Sequence, residues 1–474
     1  MKTLQTVVPT PEQMKLMVWP RPGTKIIRGA AGSGKTTTSI LMMKLSIGWL
    51  VDHFAQNNNE SPIKIRVFTF NRTLAAYIED LVNQEAIIPS DVQKKLDVEV
   101  ITLSKYMYRR MDYRPNIWNA KVQEEKIKEL GMSISLTAQF LADEVEYLQG
   151  RLDGDDLESY IDMERTGRGG KPRVDKQLRR QILDEVVYPY IESKKVAGAL
   201  DWNDLALIFS KEKFDDINIA IVDEAQDFSA NQLKAITKQL ADVNFTTIVL
   251  DTNQKIYKRG FTWREAGIDI KETSYARLER NYRNTIEIAK FASKLIENSL
   301  ITIDDDGTLP KLDEIRRNGP KPIVIEGRFR RQMEYVFEYL SSHVDLSNES
   351  VGFLHAKGGG WFDELKKTLT RKGLEFVEIT GESYWPPADT NIALSTIHSA
   401  KGLEFDYVFI VGLEDRHFSF ASDDNEDVDY STVIKLLSMA ITRAKENVII
   451  SYNNTSKPSF LKHLDDSTYE MVRV

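Results

Sequence analysis

The sequence contains no cysteine, which excludes disulfides and any zinc or iron–sulfur centre held by thiolates. It has no run approaching the roughly 18 apolar residues that a membrane-spanning helix needs. Its first residues, Met1-Lys2-Thr3-Leu4-Gln5, lack the apolar core of a signal peptide. A cytoplasmic location and no membrane partner are therefore expected. Internal repeats and low-complexity tracts are missing as well. So is a positive charge balance: 63 Lys and Arg against 71 Asp and Glu give a net charge of −8. That total argues only weakly against a polyanionic partner, because a groove acts through its local field. What remains is 474 residues, 42% hydrophobic and 28% charged, an ordinary globular composition with room for about three domains.

Short apolar segments alternate with helical ones along the chain. Residues 24–28, 63–70, 98–103, 217–222 and 246–250 read as strands, and so do 322–325, 350–354, 375–379, 391–395, 406–411 and 447–451. Strands separated by helices imply parallel sheets, here two α/β lobes. A charged, mostly helical block at 106–200 sits inside the first lobe, and Asp304–Pro320, rich in Asp, Pro and Gly, reads as an exposed connection. The domain expectation is a first lobe from 1–105 and 201–275, a helical insertion at 106–200, and a second lobe at 276–474.

Two segments carry chemistry. Gly29-Ala30-Ala31-Gly32-Ser33-Gly34-Lys35-Thr36, followed by Thr37, fits the phosphate-loop pattern, with a strand before it and a helix after it. The glycines let backbone N–H groups turn toward phosphate oxygens. Lys35 would reach the β- and γ-phosphates of ATP, and the Thr36 hydroxyl would ligate Mg²⁺. The second segment, Ile219-Ala-Ile-Val-Asp223-Glu224-Ala-Gln-Asp227, is an apolar strand ending in carboxylates. Asp223 would hold the metal and Glu224 would polarise the attacking water.

With these residues in view, the chain resembles superfamily 1 helicases of the UvrD/Rep/PcrA type, whose motifs follow in order. Pro11-Glu12-Gln13 resembles the Q motif, which implies that Gln13 reads adenine. Leu250-Asp-Thr-Asn-Gln254-Lys-Ile-Tyr257 resembles motif III, with Gln254 linking the γ-phosphate to the nucleic-acid groove. Asn281-Tyr282-Arg283-Asn284-Thr285 resembles motif IV, implying that Tyr282 stacks on adenine and Arg283 contacts the γ-phosphate. Thr396-Ile-His398-Ser-Ala-Lys401-Gly-Leu-Glu404-Phe405 resembles motif V, placing Glu404 near the ribose or γ-phosphate. Ala440-Ile-Thr442-Arg443-Ala-Lys445 resembles motif VI and makes Arg443 the arginine finger. The resemblance implies two RecA-like P-loop lobes and ATP hydrolysis that drives 3′→5′ movement on single-stranded DNA. An RNA motor of the same superfamily, or an ATP-gated nucleic-acid sensor in a larger, for example anti-phage, complex, stays open as an alternative.

The same resemblance lays a nucleic-acid strand across both lobes. Its candidate contacts are Phe70, Asn71 and Arg72 (motif Ia), Thr102 and Ser104, then Tyr257, Trp263, Thr396 and His398, a set of hydroxyls, amides and aromatic faces suited to sequence-blind binding. One departure stands out. Tyr257-Lys-Arg-Gly260 is one residue short and lacks the family's usual aromatic, a gap that Trp263 could fill. The basic run Arg165–Arg173 with Arg179 and Arg180 reads either as a phosphate contact or as a solvated loop. Leu200-Asp201-Trp202-Asn203-Asp204-Leu205 reads as structural. Relatives carry a second insertion between motifs IV and V, but here only Gly381–Asn391 stands there. Strand-stimulated ATPase with weak unwinding is the expectation. No nuclease cluster follows the strand at 447–451, which leaves a separate nuclease as a possible partner.

Overall fold

A computed structural model describes residues 9–474 other than 18–19, 30–31, 70–74, 76–78, 80–91, 93, 164–172, 251–260, 270, 272, 279, 300–311, 313–314, 316, 357–361, 381–389 and 419–429. In chain order, β1 (Gly23–Gly29), β2 (Ile63–Thr69) and β3 (Leu96–Thr102) precede a helical region. That region is entered by β4 (Asn116–Ile117) and left by β5 (Ala199–Leu200). Then come β6 (Ile217–Val222), β7 (Leu240–Leu250) and β8 (Ser274–Leu278). The first sheet has the order β3-β2-β6-β7-β1-β8 and is parallel throughout. Strand β6 is buried along its whole length, as a central parallel strand covered on both faces must be.

The second lobe is built from β9 (Ile323–Gly327), β10 (Val351–His355), β11 (Val377–Glu378), β12 (Ile392–Thr396), β13 (Phe405–Leu413), β14 (Ala444–Asn453) and β15 (Glu470–Arg473). Their order is β11-β12-β10-β13-β14-β9-β15, again parallel. The expected α/β class with two parallel sheets is what the chain adopts. Strands β8 and β15 were not expected. Both lie at sheet edges with most of their residues at least partly exposed, so neither shows the apolar run that marks a central strand.

The helical region between β4 and β5 has an apolar core of its own, around Leu141, Val145, Leu148, Tyr160, Ile182 and Tyr190. It is fastened to the first lobe in two places. The short strands β4 and β5 pair in parallel, and nearby the buried Lys194 ammonium bonds Asp201 at 2.5 Å and Asp204 at 2.6 Å. Asp201 also closes a capping box with Asp204 at the start of the helix Trp202–Lys211, so that segment is structural. Farther along, Asn231 Nδ2 donates to the carbonyls of Gln149 (2.9 Å) and Leu152 (3.2 Å). Gly150 lies so close to Ser229 that a Cβ would sit 2.8 Å from the serine Cβ. Arg179 donates to the carbonyls of Tyr160, Ile161 and Met163, and Arg180 pairs with Glu158, so both are engaged inside the insertion. Residues 164–172 of the basic run lie outside the described residues.

One apolar cluster contains side chains of both lobes, among them Ile40, Leu50 and Val67 of the first and Ile288, Phe291 and Ile397 of the second. Among the described residues no helix is long and apolar enough to cross a membrane.

Candidate active site

Strand β1 ends at Gly29, and the helix Lys35–Gln56 starts six residues later with Gly34 as its N-cap. Both Gly32 and Gly34 adopt left-handed backbone, φ 74° and 73°, which a residue with a Cβ enters at a cost of about 1–2 kcal/mol. The space is equally restrictive. A Cβ on Gly32 would lie 2.2 Å from Asn281 Oδ1, one on Gly34 2.4 Å from Gln13 Nε2, and one on Gly29 2.5 Å from Ser33 Oγ. The loop therefore presents bare backbone at the N-terminus of a 22-residue helix, an arrangement that favours anions. Ser33 Oγ is buried with no hydrogen-bond partner among the described residues, as expected of a cradle built around a ligand. Lys35 Nζ donates to Gly29 O at 2.8 Å. Thr37 is half-buried in the first turn of the helix, and Ala30 and Ala31 lie outside the described residues.

Asp223 and Glu224 follow β6 directly. The Thr36 hydroxyl donates to Asp223 Oδ2 at 2.7 Å, so the two oxygens proposed to hold Mg²⁺ are already neighbours across 187 residues of sequence. Groups of three or more His, Asp or Glu able to cage a metal are absent among the described residues. A hydroxyl and one carboxylate suit Mg²⁺, which retains waters and takes further oxygens from substrate phosphates. Glu224 has positive φ, 53°, rare for a residue with a side chain. Burial and the Glu224 charge push the Asp223 carboxyl up to about 6. Burial also works to raise Glu224, but the Lys401, Lys35 and Arg443 cations outweigh it and hold the group below the usual range. Of the two acids, Glu224 is the one whose ionised form the surroundings favour, as suits a proton acceptor.

The second lobe supplies two of those cations, Lys401 and Arg443. Lys401, in the turn after β12, is buried, pairs with the fully buried Asp227 and lies 3.7 Å from Glu224 Oε2. Gln226 Nε2 donates to the same Glu224 oxygen. Arg283 Nε donates to Glu404 Oε2 at 2.5 Å, while Lys445 lies 3.4 Å from Glu404 Oε1. Burial would raise the Glu404 pKa, yet the Arg283 and Lys445 charges bring it down to about 2. Arg443 is buried and donates to the carbonyls of Met439 (3.1 Å) and Leu403 (3.3 Å). Asn284, fully buried, ties the two arginine segments together: its Nδ2 donates to Thr442 O (3.1 Å) and to Ala444 O, on either side of Arg443.

Gln13 bonds the phosphate loop itself, through Nε2 to the carbonyls of Ser33 (3.4 Å) and Gly34 (3.3 Å), while closing a capping box with Thr10. The Tyr282 N–H donates to Gly32 O at 3.0 Å, and its side chain is exposed. Lys35, Thr36, Asp223, Glu224, Arg283, Glu404 and Arg443 thus gather around one interlobe cleft, whereas Gln254 lies outside the described residues. Sequence reasoning gave no role to Lys401, Asp227 or Asn284, although all three fall within the quoted motifs.

Of the strand candidates, Phe70, Asn71, Arg72 and Tyr257 lie outside the described residues. Thr102 caps the helix Leu103–Arg110 and, with Ser104, lines a cavity of 310 Å³ between the first lobe and the insertion. Glu124, Asp143 and Glu146 line the same cavity, an acidic wall that opposes phosphate. Thr396 Oγ1 donates to Ser399 Oγ at 3.0 Å. Burial, then the Lys401 charge, lowers the His398 pKa, so that imidazole is neutral at pH 7. Trp263 packs edge-on against Phe261, ring centroids 5.6 Å apart, at the margin of the first-lobe core.

A family model described as the UvrD/REP helicase N-terminal domain matches residues 10–277, more than half of the chain, and one described as the UvrD-like helicase C-terminal domain matches residues 362–455. DNA helicase IV of Escherichia coli K12 is 23% identical over 510 residues, covering 93% of this chain and 68% of its own. The probable DNA helicase of Mycoplasma pneumoniae is 26% identical over 265 residues, 52% of this chain and 47% of its own. The probable DNA helicase II homolog of Mycoplasma genitalium is 38% identical over 113 residues, 22% of this chain and 15% of its own. The chain thus spans less than half of either mycoplasma relative.

Proposed function

We propose that this chain, which belongs to the UvrD/REP helicase family, is an ATP-driven motor that moves 3′→5′ on single-stranded DNA. The observation that carries the reading is the shared cleft: Lys401 of the second lobe reaches Glu224 and Asp227 of the first, beside Lys35 and Thr36. In this reading the loop amides and Lys35 bind the phosphates. Thr36 and Asp223 would hold Mg²⁺, which supplies charge neutralisation on the phosphate oxygens. Glu224, kept ionised by its three cationic neighbours, takes the proton of the attacking water. Arg283 and Arg443 offset the charge that develops on the transferred group, and because both follow the second lobe, hydrolysis and lobe position are coupled. Gln13 and Tyr282 flank the base end of the site, and Trp263, Thr396 and His398 contribute to the strand track, whereas the acidic wall beside Thr102 and Ser104 turns the strand away from them.

The test is the ATPase rate against single-stranded DNA, single-stranded RNA and duplex. Stimulation by single-stranded DNA is expected, falling about 10²–10⁴-fold in Glu224→Gln and lost with Lys35→Ala. Stimulation by RNA alone would reassign the track to RNA, and slow turnover indifferent to strands would make the protein a sensor. Weak unwinding by the isolated chain, relieved by a long single-stranded tail or by a protein partner such as a nuclease, is part of the same reading. Robust unwinding of a blunt duplex by the chain alone would overturn that part.

A further inference from the structure

Trp263 stands on a single helical turn whose construction reaches into the insertion. Glu265 Oε2 accepts from Thr262 N at 2.7 Å and from Thr262 Oγ1 at 2.9 Å, and Thr262 Oγ1 accepts from Glu265 N at 3.3 Å. This is a capping box with Trp263 in its first position. Gly267, at φ 74°, reverses the chain, and the Ile268 N–H returns to Trp263 O at 3.0 Å, closing the turn.

The carboxylate that closes this box is also held from outside. Arg151 Nε donates to Glu265 Oε1 and Arg151 Nη2 to Glu265 Oε2, both at 2.7 Å, a two-pronged contact. Arg151 is buried, its guanidinium over the Tyr147 ring and bonded to the Tyr147 hydroxyl, so its own position is fixed. It belongs to the insertion's elbow, residues 149–152, which rests on Asn231 and crowds against Ser229. Asn231 lies four residues beyond Asp227, the acid paired with Lys401.

We infer that Arg151 and Glu265 are positioning residues that fix the Trp263 turn against the insertion, so that the insertion sets how Trp263 meets a single strand. The inference rests on the strand-motor reading above. The clamp makes Trp263 a stable platform where the preceding segment lacks the family's usual aromatic. Neither residue is among those described at the ATP site, and the elbow's seat on the helix that follows the catalytic acids relates the platform to that site through packed backbone.

The experiment compares wild type with Arg151→Met, Glu265→Gln, the exchange R151E/E265R, W263A and R151M/W263A. ATPase is titrated with an oligothymidylate, and thermal unfolding is recorded for each. Glutamine still closes a capping box, so Glu265→Gln isolates the loss of the arginine clamp and carries the test should Arg151→Met fail to fold. The strand concentration for half-maximal stimulation is expected to rise about tenfold in both single variants, the scale of one lost charge-assisted contact. Strand-free turnover and the KM for ATP should stay at wild-type values. The charge exchange should recover part of the loss, and R151M/W263A should be no worse than W263A, since Arg151 acts through that side chain. Unchanged half-saturation in Arg151→Met and Glu265→Gln, or effects that simply add to those of W263A, would overturn the inference and leave the motor reading intact. A wild-type rate indifferent to strands would instead overturn the motor reading, and this inference with it.

Discussion

Replacing Lys401 with methionine keeps the bulk of the side chain and removes its charge, which leaves Asp227 buried opposite an apolar group. Asp227 is fully buried and the lysine almost so. Removing one partner from such a pair costs about 3–5 kcal/mol. An independent bound agrees: holding Asp227 protonated at pH 7, from an ordinary carboxyl pKa, costs about 4 kcal/mol. Because the partners belong to different lobes, the loss falls on their association. At about 1.4 kcal/mol per factor of ten, joined and separated forms would shift by nearly a thousandfold. The absence of native cysteine makes the assay direct, since cysteines placed at the exposed positions Asp52 and Lys367 take a donor and an acceptor dye without competition. Energy transfer is expected to fall sharply in Lys401→Met and less in Asp227→Asn, where Lys401 keeps Glu224 at 3.7 Å. It should largely return in K401M/D227N, which leaves no buried charge alone. Unchanged transfer together with an unchanged denaturation midpoint in Lys401→Met would refute this reasoning.

Three further outcomes follow from the site. Gly32→Ala should raise the KM for ATP about tenfold or more, because left-handed strain of about 1–2 kcal/mol adds to a clash with the bonded Asn281 side chain; an unchanged KM would contradict the cradle. Asn284→Ala leaves the Thr442 and Ala444 carbonyls without their donor, at about 1–3 kcal/mol for each buried group, and should lower both the unfolding midpoint and turnover. Glu404 has a folded pKa near 2, below its unfolded value, so its contribution is present above pH 4.5 and lost as pH falls toward 2. The total is about 3 kcal/mol. Urea titrations at pH 6, 4 and 3 should show that decline in wild type and a flatter profile in Glu404→Gln.

The parts of the site written as contiguous runs were legible from sequence, because local chemistry defines them. Glycines that must turn, a lysine at a helix start and acids at the end of an apolar strand each have a short-range reason to be where they are. The same held for the central strands, whose continuous apolar runs have no other use. The edge strands β8 and β15 gave no such sign, since half-exposed residues satisfy a sheet edge without a pattern. The contacts that assemble the cleft were also hidden. Lys401 and Asp227 lie 174 positions apart, Asn284 and Thr442 158, and Arg151 and Glu265 114. Such pairs are settled by packing of whole elements, and nothing in either residue's neighbourhood names the other.

The pairing of β4 with β5 has a consequence for how such a chain can be altered. The polypeptide leaves and re-enters the first lobe at adjacent positions, Ile117 beside Leu200, separated by the ordinary interstrand spacing of about 4.8 Å. Because the two strands run parallel, the link between them has to be a crossover and not a tight turn, so the intervening segment is exchangeable for another crossover unit. Cutting there would leave the six-stranded sheet and the phosphate loop covalently undisturbed. It would uncover Asn231 and Glu265, and would also take Lys194 away from Asp201 and Asp204. A graft at the same seam would keep its register only if it supplied a carbonyl pair for Asn231, a cation for Glu265 and another for Asp201 and Asp204.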